Sequence, residues 1–430
     1  MISKLFTTLG AHSPQRYVIN TWWIFITKFL SIFISLAATF YVARTLGPQN
    51  FGELSYAVSI VGLLGFFSAI AGTSVICRDL IKAPESQSKI LGTAWTLSMV
   101  GTLLTVVGVI VLTFILPHDA ITLYIIGFLC LAQICSPFAV AQTIFFADAK
   151  TKYLSLMQLT VHLCVSIAKI ISMTFDQGVL VLACIMFAEQ LALAIITLAL
   201  YVRYTHRKVW DWTFDIDYAR NLALDSIPFV FISMSIVVSG RIDQVFIKHF
   251  VDTSTVGLYS VAVQLTEIWQ VLPQILLASL LPALVNSHTS SNSYGKRILA
   301  LSLVLGLYGI SASLITTLLA PFIIPLIYGT AFMASIPLLQ IYTWSLFGTV
   351  AGFLITNILV TENQRRIQIM VGVIPMLTNV MLNLLWIPNY GAAGAAWATV
   401  ISYSMAPVIP FFYSSIRQKF YGKKTINVVL

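Results

Sequence analysis

The sequence predicts an all-α integral membrane protein of twelve transmembrane helices, arranged as two six-helix halves related by a parallel pseudo-twofold repeat around a central cavity. Three observations predict it: long apolar runs, basic residues confined to alternate connections, and an internal duplication. The runs lie at roughly 17–41, 54–76, 90–116, 120–145, 153–175, 178–202, 222–248, 256–285, 298–320, 335–360, 366–387 and 391–413, each about long enough to cross ~30 Å of hydrocarbon. Hydrophobic residues make up 58% of the chain and charged residues 9%, too few polar side chains to cover a water-facing surface. An outer-membrane barrel would show alternating segments of about ten residues. Unbroken apolar runs must instead satisfy their own backbone, as helices do.

The connections set the orientation. Nineteen of the 24 Lys and Arg fall in the N-terminal tail (Lys4, Arg16), in every second connection and in the C-terminal tail (Arg417, Lys419, Lys423, Lys424). The intervening connections hold only Arg44 and Lys248, so the positive-inside rule places both termini in the cytoplasm. The net charge of +9 therefore sits on one membrane face, where it favours anionic lipid heads. Nucleic acid is not an expected partner, because no basic module interleaved with aromatics is present. The first run is too long for a signal-peptide core and lacks a small-residue cleavage site, so it is expected to stay as a signal anchor. Cys77, Cys130, Cys135, Cys164 and Cys184 fall in or at the ends of runs. Without zinc-site or disulfide spacing, they read as packing residues.

The duplication divides the chain. Phe51-Gly52-Glu53-Leu54-Ser55-Tyr56-Ala57-Val58 aligns with Val256-Gly257-Leu258-Tyr259-Ser260-Val261-Ala262-Val263 at an offset of 205. Ala147-Asp148-Ala149-Lys150 onward aligns with Val360-Thr361-Glu362-Asn363 onward at an offset of 213, which also brings Gly178 onto Gly391. Six spans per half is an even number, so both halves enter from one side and the repeat axis runs along the membrane normal. The halves are expected at 1–202 and 222–430, joined by a cytoplasmic linker at 203–221.

Ionisable groups inside a span cost several kcal/mol, so each is expected to face a polar cavity or a partner. They are Lys28, His162, Lys169, Glu189, Asp225, Arg241, Asp243 and Glu267. Under the 205-residue offset Arg241 maps to position 36, eight residues from Lys28, about 80° around and ~12 Å along the helix. Both cations can thus face a central cleft, and with Lys169 they form the candidate substrate-binding set for an anionic head group. The opposing reading pairs Arg241 with Asp243 and lets Lys28 snorkel to water. Glu267, Asp243 and Glu189 are candidate ion-coupling carboxylates, whereas Asp225 lies near a span end. No catalytic grouping, metal cluster or phosphate-cradling loop is present, so an enzyme, a resident cofactor and ATP hydrolysis are not expected. An H⁺ or Na⁺ gradient is the expected energy source. The run Gly391-Ala392-Ala393-Gly394-Ala395-Ala396 reads as a helix-packing surface. Trp22, Trp23, Trp210, Trp212 and Trp386 read as interfacial anchors.

At Ala43-Arg44-Thr45-Leu46-Gly47-Pro48-Gln49-Asn50-Phe51-Gly52, at Arg241-Ile242-Asp243-Gln244-Val245-Phe246-Ile247 and at Ile387-Pro388-Asn389-Tyr390-Gly391-Ala392, the chain resembles the Wzx-type O-antigen flippases. These belong to the polysaccharide-transport branch of the multidrug/oligosaccharidyl-lipid/polysaccharide flippase superfamily. The resemblance implies a bacterial inner-membrane transporter that moves undecaprenyl-diphosphate-linked oligosaccharide to the periplasmic leaflet by alternating access. Its partners would be that substrate, membrane lipids, and the polymerase and chain-length proteins of the same pathway. On that scheme Lys28 and Arg241 contact diphosphate or acidic sugar. Two alternatives remain: a cation-coupled multidrug exporter, whose cavity should be more acidic, and an O-antigen polymerase or ligase, which needs a large outer loop that is missing here.

Overall fold

In a computed structural model the chain is described from 14 to 409, apart from residues 71, 117, 118, 149, 288–290 and 363. Lys4 and the C-terminal basic cluster Arg417, Lys419, Lys423 and Lys424 lie outside the described residues. So do the side chains of Arg16, Trp22, Trp23 and Lys296. The helices are α1 (Pro14–Leu64), α2 (Thr73–Lys82), α3 (Gln87–Ile115), α4 (Ala120–Cys135), α5 (Thr143–Ala147), α6 (Thr151–Thr174) and α7 (Gly178–Thr205). They continue as α8 (Ile216–Phe250), α9 (Thr253–Ser287), α10 (Ser291–Ile327), α11 (Ser335–Tyr342), α12 (Ser345–Thr361) and α13 (Arg365–Met405). Short 3-10 stretches join some of them, and no strand occurs among the described residues.

Nine helical segments among the described residues are long and apolar enough to span a membrane. Two of these, Ile26–Lys82 and Arg365–Met405 at 57 and 41 residues, are nearly three times and about twice the ~20 residues a span requires. Each is broken by a glycine with non-helical backbone, Gly47 (φ 71°) and Gly391 (φ 58°, ψ −144°). At Gly391 the break is a reversal. Asn379 lies 3.3 Å from both Thr399 and Ser402, whereas twenty residues of straight helix would separate them by ~30 Å. Gly178 also has positive φ, at 77°, so the two positions matched by the 213-residue offset share one backbone solution, open to glycine and costly for other residues. Large apolar side chains such as Val107, Phe114, Leu303 and Phe322 are 57–87% exposed, as lipid-facing positions should be. The buried interior is correspondingly rich in Ser, Thr and Ala, which let helices approach closely.

The chain forms two compact units, residues 1–46 with 64–230, and 47–63 with 231–430. In the first unit, Ile76, Leu91, Ala141, Phe145, Leu154, Tyr201 and Leu222 make one buried cluster. The linker is strapped beside it. The Thr213 amide donates to the Ser88 carbonyl (3.3 Å), the Asp215 amide to Thr93 Oγ1 (3.1 Å), and Lys89 pairs with Asp215 (2.7 Å). The Lys89 ammonium, aided by the Tyr218 amide, holds the Asp215 carboxyl below its ordinary value. In the second unit Leu277, Ile298, Leu305, Val350, Leu354 and Ile358 pack together from α9, α10 and α12.

Two predictions follow from these local geometries. Gly391→Ala should lower the thermal unfolding midpoint in detergent by several degrees, since its backbone region is essentially glycine-only and costs other residues about 1–3 kcal/mol. Gly62→Ala, at a helical site where an added Cβ meets nothing within 4 Å, should leave the midpoint unchanged or raise it. For the strap, a depressed carboxyl contributes stability above its unfolded pKa and loses it as pH falls through the folded value. Cleavage of the linker by an acid-active protease should therefore accelerate as pH drops below about 4, and Asp215→Asn should remove that acceleration.

Candidate functional site

A carboxylate placed inside a bundle that spans hydrocarbon has no water to solvate it, so donors must come from neighbouring helices. Asp243 on α8 is 3% exposed, and two neighbouring helices, α9 and α13, meet this requirement. Tyr259 Oη on α9 donates to its Oδ2 at 2.5 Å, Thr399 Oγ1 on α13 donates to the same oxygen at 2.7 Å, and Asn383 Nδ2 donates to Oδ1 at 2.5 Å. Asn383 also donates to Asn379 Oδ1 at 3.0 Å, and Asn379 in turn reaches Thr399 and Ser402. The reversal at Gly391 is what lets residues of both arms of α13 converge. One acceptor is left over: Asn383 Oδ1 is buried without a hydrogen-bond partner among the described residues. Around this knot Tyr342 stacks edge-on against Tyr259 with ring centres 5.6 Å apart, and Tyr403 donates to the Ser239 carbonyl at 3.2 Å.

Arg241 lies two residues from Asp243, yet its guanidinium forms no ion pair with it or with any other described residue; Asp243 is satisfied entirely by neutral donors. Instead Arg241 feels the charge of Glu267 on α9. The carboxyl of Glu267 is exposed, although Arg241, Tyr342 and Tyr403 all lie within its electrostatic reach. The pairing of Arg241 with Asp243, offered by the opposing reading of the sequence, is not formed among the described residues.

In the first unit Lys28 is exposed on α1, with no ion-pair partner among the described residues. Lys169 and Glu189 are brought together between α6 and α7: Lys169 Nζ lies 3.5 Å from Glu189 Oε2, and His162 Nδ1 lies 2.9 Å from Oε1. The Lys169 and Glu189 side chains are 19% and 14% exposed, so this charge group is largely enclosed. Asp225 is exposed at the start of α8 and receives a bond from Arg78 at 3.1 Å, while Arg78 also binds Asp79 at 2.8 Å. All five cysteines are free thiols. Sequence reasoning singled out Asp243 but missed its ligands. The available signal was the spacing Asn379-Val380-Met381-Leu382-Asn383, which puts two amides on one helix face inside an apolar run.

The model of a family described as polysaccharide biosynthesis protein matches residues 18–288. The chain belongs to this family. No curated protein sequence matches it. Among solved structures, an inward-facing multidrug resistance MATE family transporter of the MOP superfamily is similar over 90% of this chain and 94% of its own, with a TM-score of 0.73 and 13% identity. The lipid II flippase MurJ in an inward closed conformation is similar over 92% of this chain and 88% of its own, with a TM-score of 0.72 and 15% identity. The chain is thus a member of the polysaccharide biosynthesis protein family that shares the fold of these solved structures, with nine helical segments among the described residues long and apolar enough to cross a membrane.

Burying one charge of a pair without the other costs more than removing both. Glu189→Leu should therefore lower the unfolding midpoint more than the double variant Glu189→Leu with Lys169→Leu. Equal midpoints would mean that Lys169 finds water when its partner is lost.

Proposed function

We propose that this polysaccharide biosynthesis protein is a flippase for an undecaprenyl-diphosphate-linked oligosaccharide, an O-antigen or similar repeat unit. It carries this cargo from the cytoplasmic to the periplasmic leaflet of the bacterial inner membrane by alternating access. The observation that carries the reading is the family match, and the state of Arg241 supports it. Asp243 takes all its hydrogen bonds from neutral groups, so the guanidinium is free to fork onto phosphate oxygens. Lys28, exposed in the first unit, serves as a second point charge along the path. Lys169, already neutralised by Glu189, acts more weakly on an anion than Lys28 does.

Energy comes from an H⁺ or Na⁺ gradient, with Asp243 as the coupling carboxylate. Its surroundings suit a small cation or proton: one acid, hydroxyls of Tyr259 and Thr399, and the orphaned Asn383 Oδ1. A hard monovalent cation prefers such oxygen donors. Glu267 and Glu189 are the secondary candidates. A cation-coupled drug exporter is the competing reading, because a MATE transporter shares the fold and Glu267 adds an acid within electrostatic reach of Arg241.

Lys28→Ala and Arg241→Ala should each reduce surface polysaccharide in a strain dependent on this protein, with membrane insertion intact. Arg241→Lys should retain part of the activity if the contact is electrostatic, and complete loss would assign it to forked hydrogen bonding. Normal polysaccharide in both alanine variants at native expression removes these residues from the path, and efflux of cationic dyes without any polysaccharide phenotype favours the exporter. For coupling, Na⁺ should raise the unfolding midpoint of the parent but not of Asp243→Asn. A proton-coupled site would show no Na⁺ effect and instead a midpoint whose pH dependence vanishes in Asp243→Asn.

A further inference from the structure

The strap that joins α7 to α8 in the first unit sorts its side chains by direction. Val209 and Trp212, with Tyr218 just beyond them, turn inward and pack against the buried cluster. The Trp212 indole donates to Tyr201 Oη at 3.0 Å. Three other large apolar side chains turn outward: Trp210 is 90% exposed, Ile216 69% and Phe214 52%. Of the two strap tryptophans that the sequence offers as interfacial anchors, Trp210 is therefore the one placed to meet something beyond the protein.

The strap also lies deep. A Cβ added to Gly92 would sit 2.5 Å from the Thr213 carbonyl oxygen and 2.7 Å from its nitrogen, so strap backbone rests directly on α3. Gly92 follows the start of α3 at Gln87 by five residues, ~7.5 Å along the axis. Tyr201 precedes the end of α7 at Thr205 by four, ~6 Å. Both belong to the apolar runs at 90–116 and 178–202. The outward side chains thus lie near the boundary between hydrocarbon and headgroups, on the face that the charge asymmetry assigns to the cytoplasm. Charge frames the same edge. Lys208 precedes Trp210 and Arg220 follows Ile216; both are exposed, and neither enters an ion pair among the described residues. Along the strap and its contacts Lys89, Arg203, Arg207, Lys208 and Arg220 outnumber Asp211, Asp215 and Asp217 by two. Of these acids, Asp211 accepts from the Lys208 amide at 2.9 Å, and Asp215 from Lys89 and the Tyr218 amide at 2.7 Å each.

We propose that the strap is a lipid-binding foot in the cytoplasmic leaflet: Trp210, Phe214 and Ile216 enter the headgroup region, and Lys208 and Arg220 bind the phosphate oxygens of anionic phospholipid beside them. The inference requires a chain that spans a bilayer and no particular cargo. An indole is favoured at that depth because its ring is apolar while its N–H finds a polar partner. Cations just outside a span are drawn to anionic lipid. A soluble protein partner would first have to displace lipid to reach an edge that lies level with Gly92.

The test uses the full-length protein in nanodiscs of phosphatidylcholine alone or of equal parts phosphatidylcholine and phosphatidylglycerol. Hydrogen exchange in the peptide 206–215, whose Thr213 and Asp215 amides are bonded to α3, reads opening of the strap. Exchange should slow at least tenfold when phosphatidylglycerol is present. Lys208→Gln combined with Arg220→Gln should abolish that difference, and Gly92→Ala, which wedges the strap off α3, gives the rate of the open form. Insertion is read separately after the five native cysteines are replaced. Phe214→Cys should react with a charged maleimide at least tenfold more slowly than Glu85→Cys, an exposed position in the connection that holds Lys82 and Lys89. The exchange measurement needs no cysteine replacement and decides the matter if the cysteine-free protein is not produced. Exchange indifferent to phosphatidylglycerol, or equal labelling at positions 214 and 85, overturns the foot. Slowing that survives the Lys208 and Arg220 substitutions overturns the assignment of those two cations.

Discussion

The buried carboxylate of Asp243 organises the C-terminal part of this protein because hydrocarbon leaves it nothing else to bind. A charge or a protonated acid at that depth must be met by donors from the helices around it. Here α8 supplies the acid, α9 the Tyr259 hydroxyl, and α13 the Asn383 amide and Thr399 hydroxyl. Three helices are tied at one point, and their relative rotation is fixed by hydrogen bonds that cannot be exchanged for water. Apolar contacts in a bilayer offer no such direction, since lipid tails are as apolar as the side chains they would replace. The same constraint frees Arg241. A neighbouring acid satisfied by neutral groups makes no claim on the guanidinium, which keeps its fork geometry available.

Charge is handled differently elsewhere. Between α6 and α7 the interior cation and anion are matched directly, Lys169 and His162 against Glu189, and the local charge is spent within the protein. Near the start of α8, Arg78 bridges Asp79 and Asp225, with Arg78 and Asp225 about half exposed and Asp79 19% exposed. Pairs of that kind contribute little to stability, typically 0–1 kcal/mol, and break readily. The described residues thus include an enclosed charge group at Glu189, more exposed pairs at Arg78 and Lys89, and an acid ligated without any cation at Asp243.

Much of the fold was legible because hydrocarbon imposes a period and a length that apolar runs display openly. The glycine match across the 213-residue offset pointed to Gly178 and Gly391, and both adopt positive φ. Asp243 was visible as an acid in an apolar run. Its ligands were not, because Asn, Thr and Tyr within spans are common and only folding the chain back at Gly391 brings Thr399 to Asn379 and Asn383. The pairing of Lys169 with Glu189 was equally hidden. It joins residues on different helices, and no spacing within one helix encodes it.

The hairpin made by α13 has a consequence for which changes the chain can absorb. Its two prongs carry Asn379 and Asn383 before the bend and Thr399 and Ser402 after it, all aimed at one point. Inserting or deleting a single residue within either prong would turn the part beyond it by about 100° and swing its polar side chains toward lipid. Within this hairpin a change of length can be absorbed only outside the two prongs, and the stretch acts as a ruler whose divisions are fixed one residue at a time.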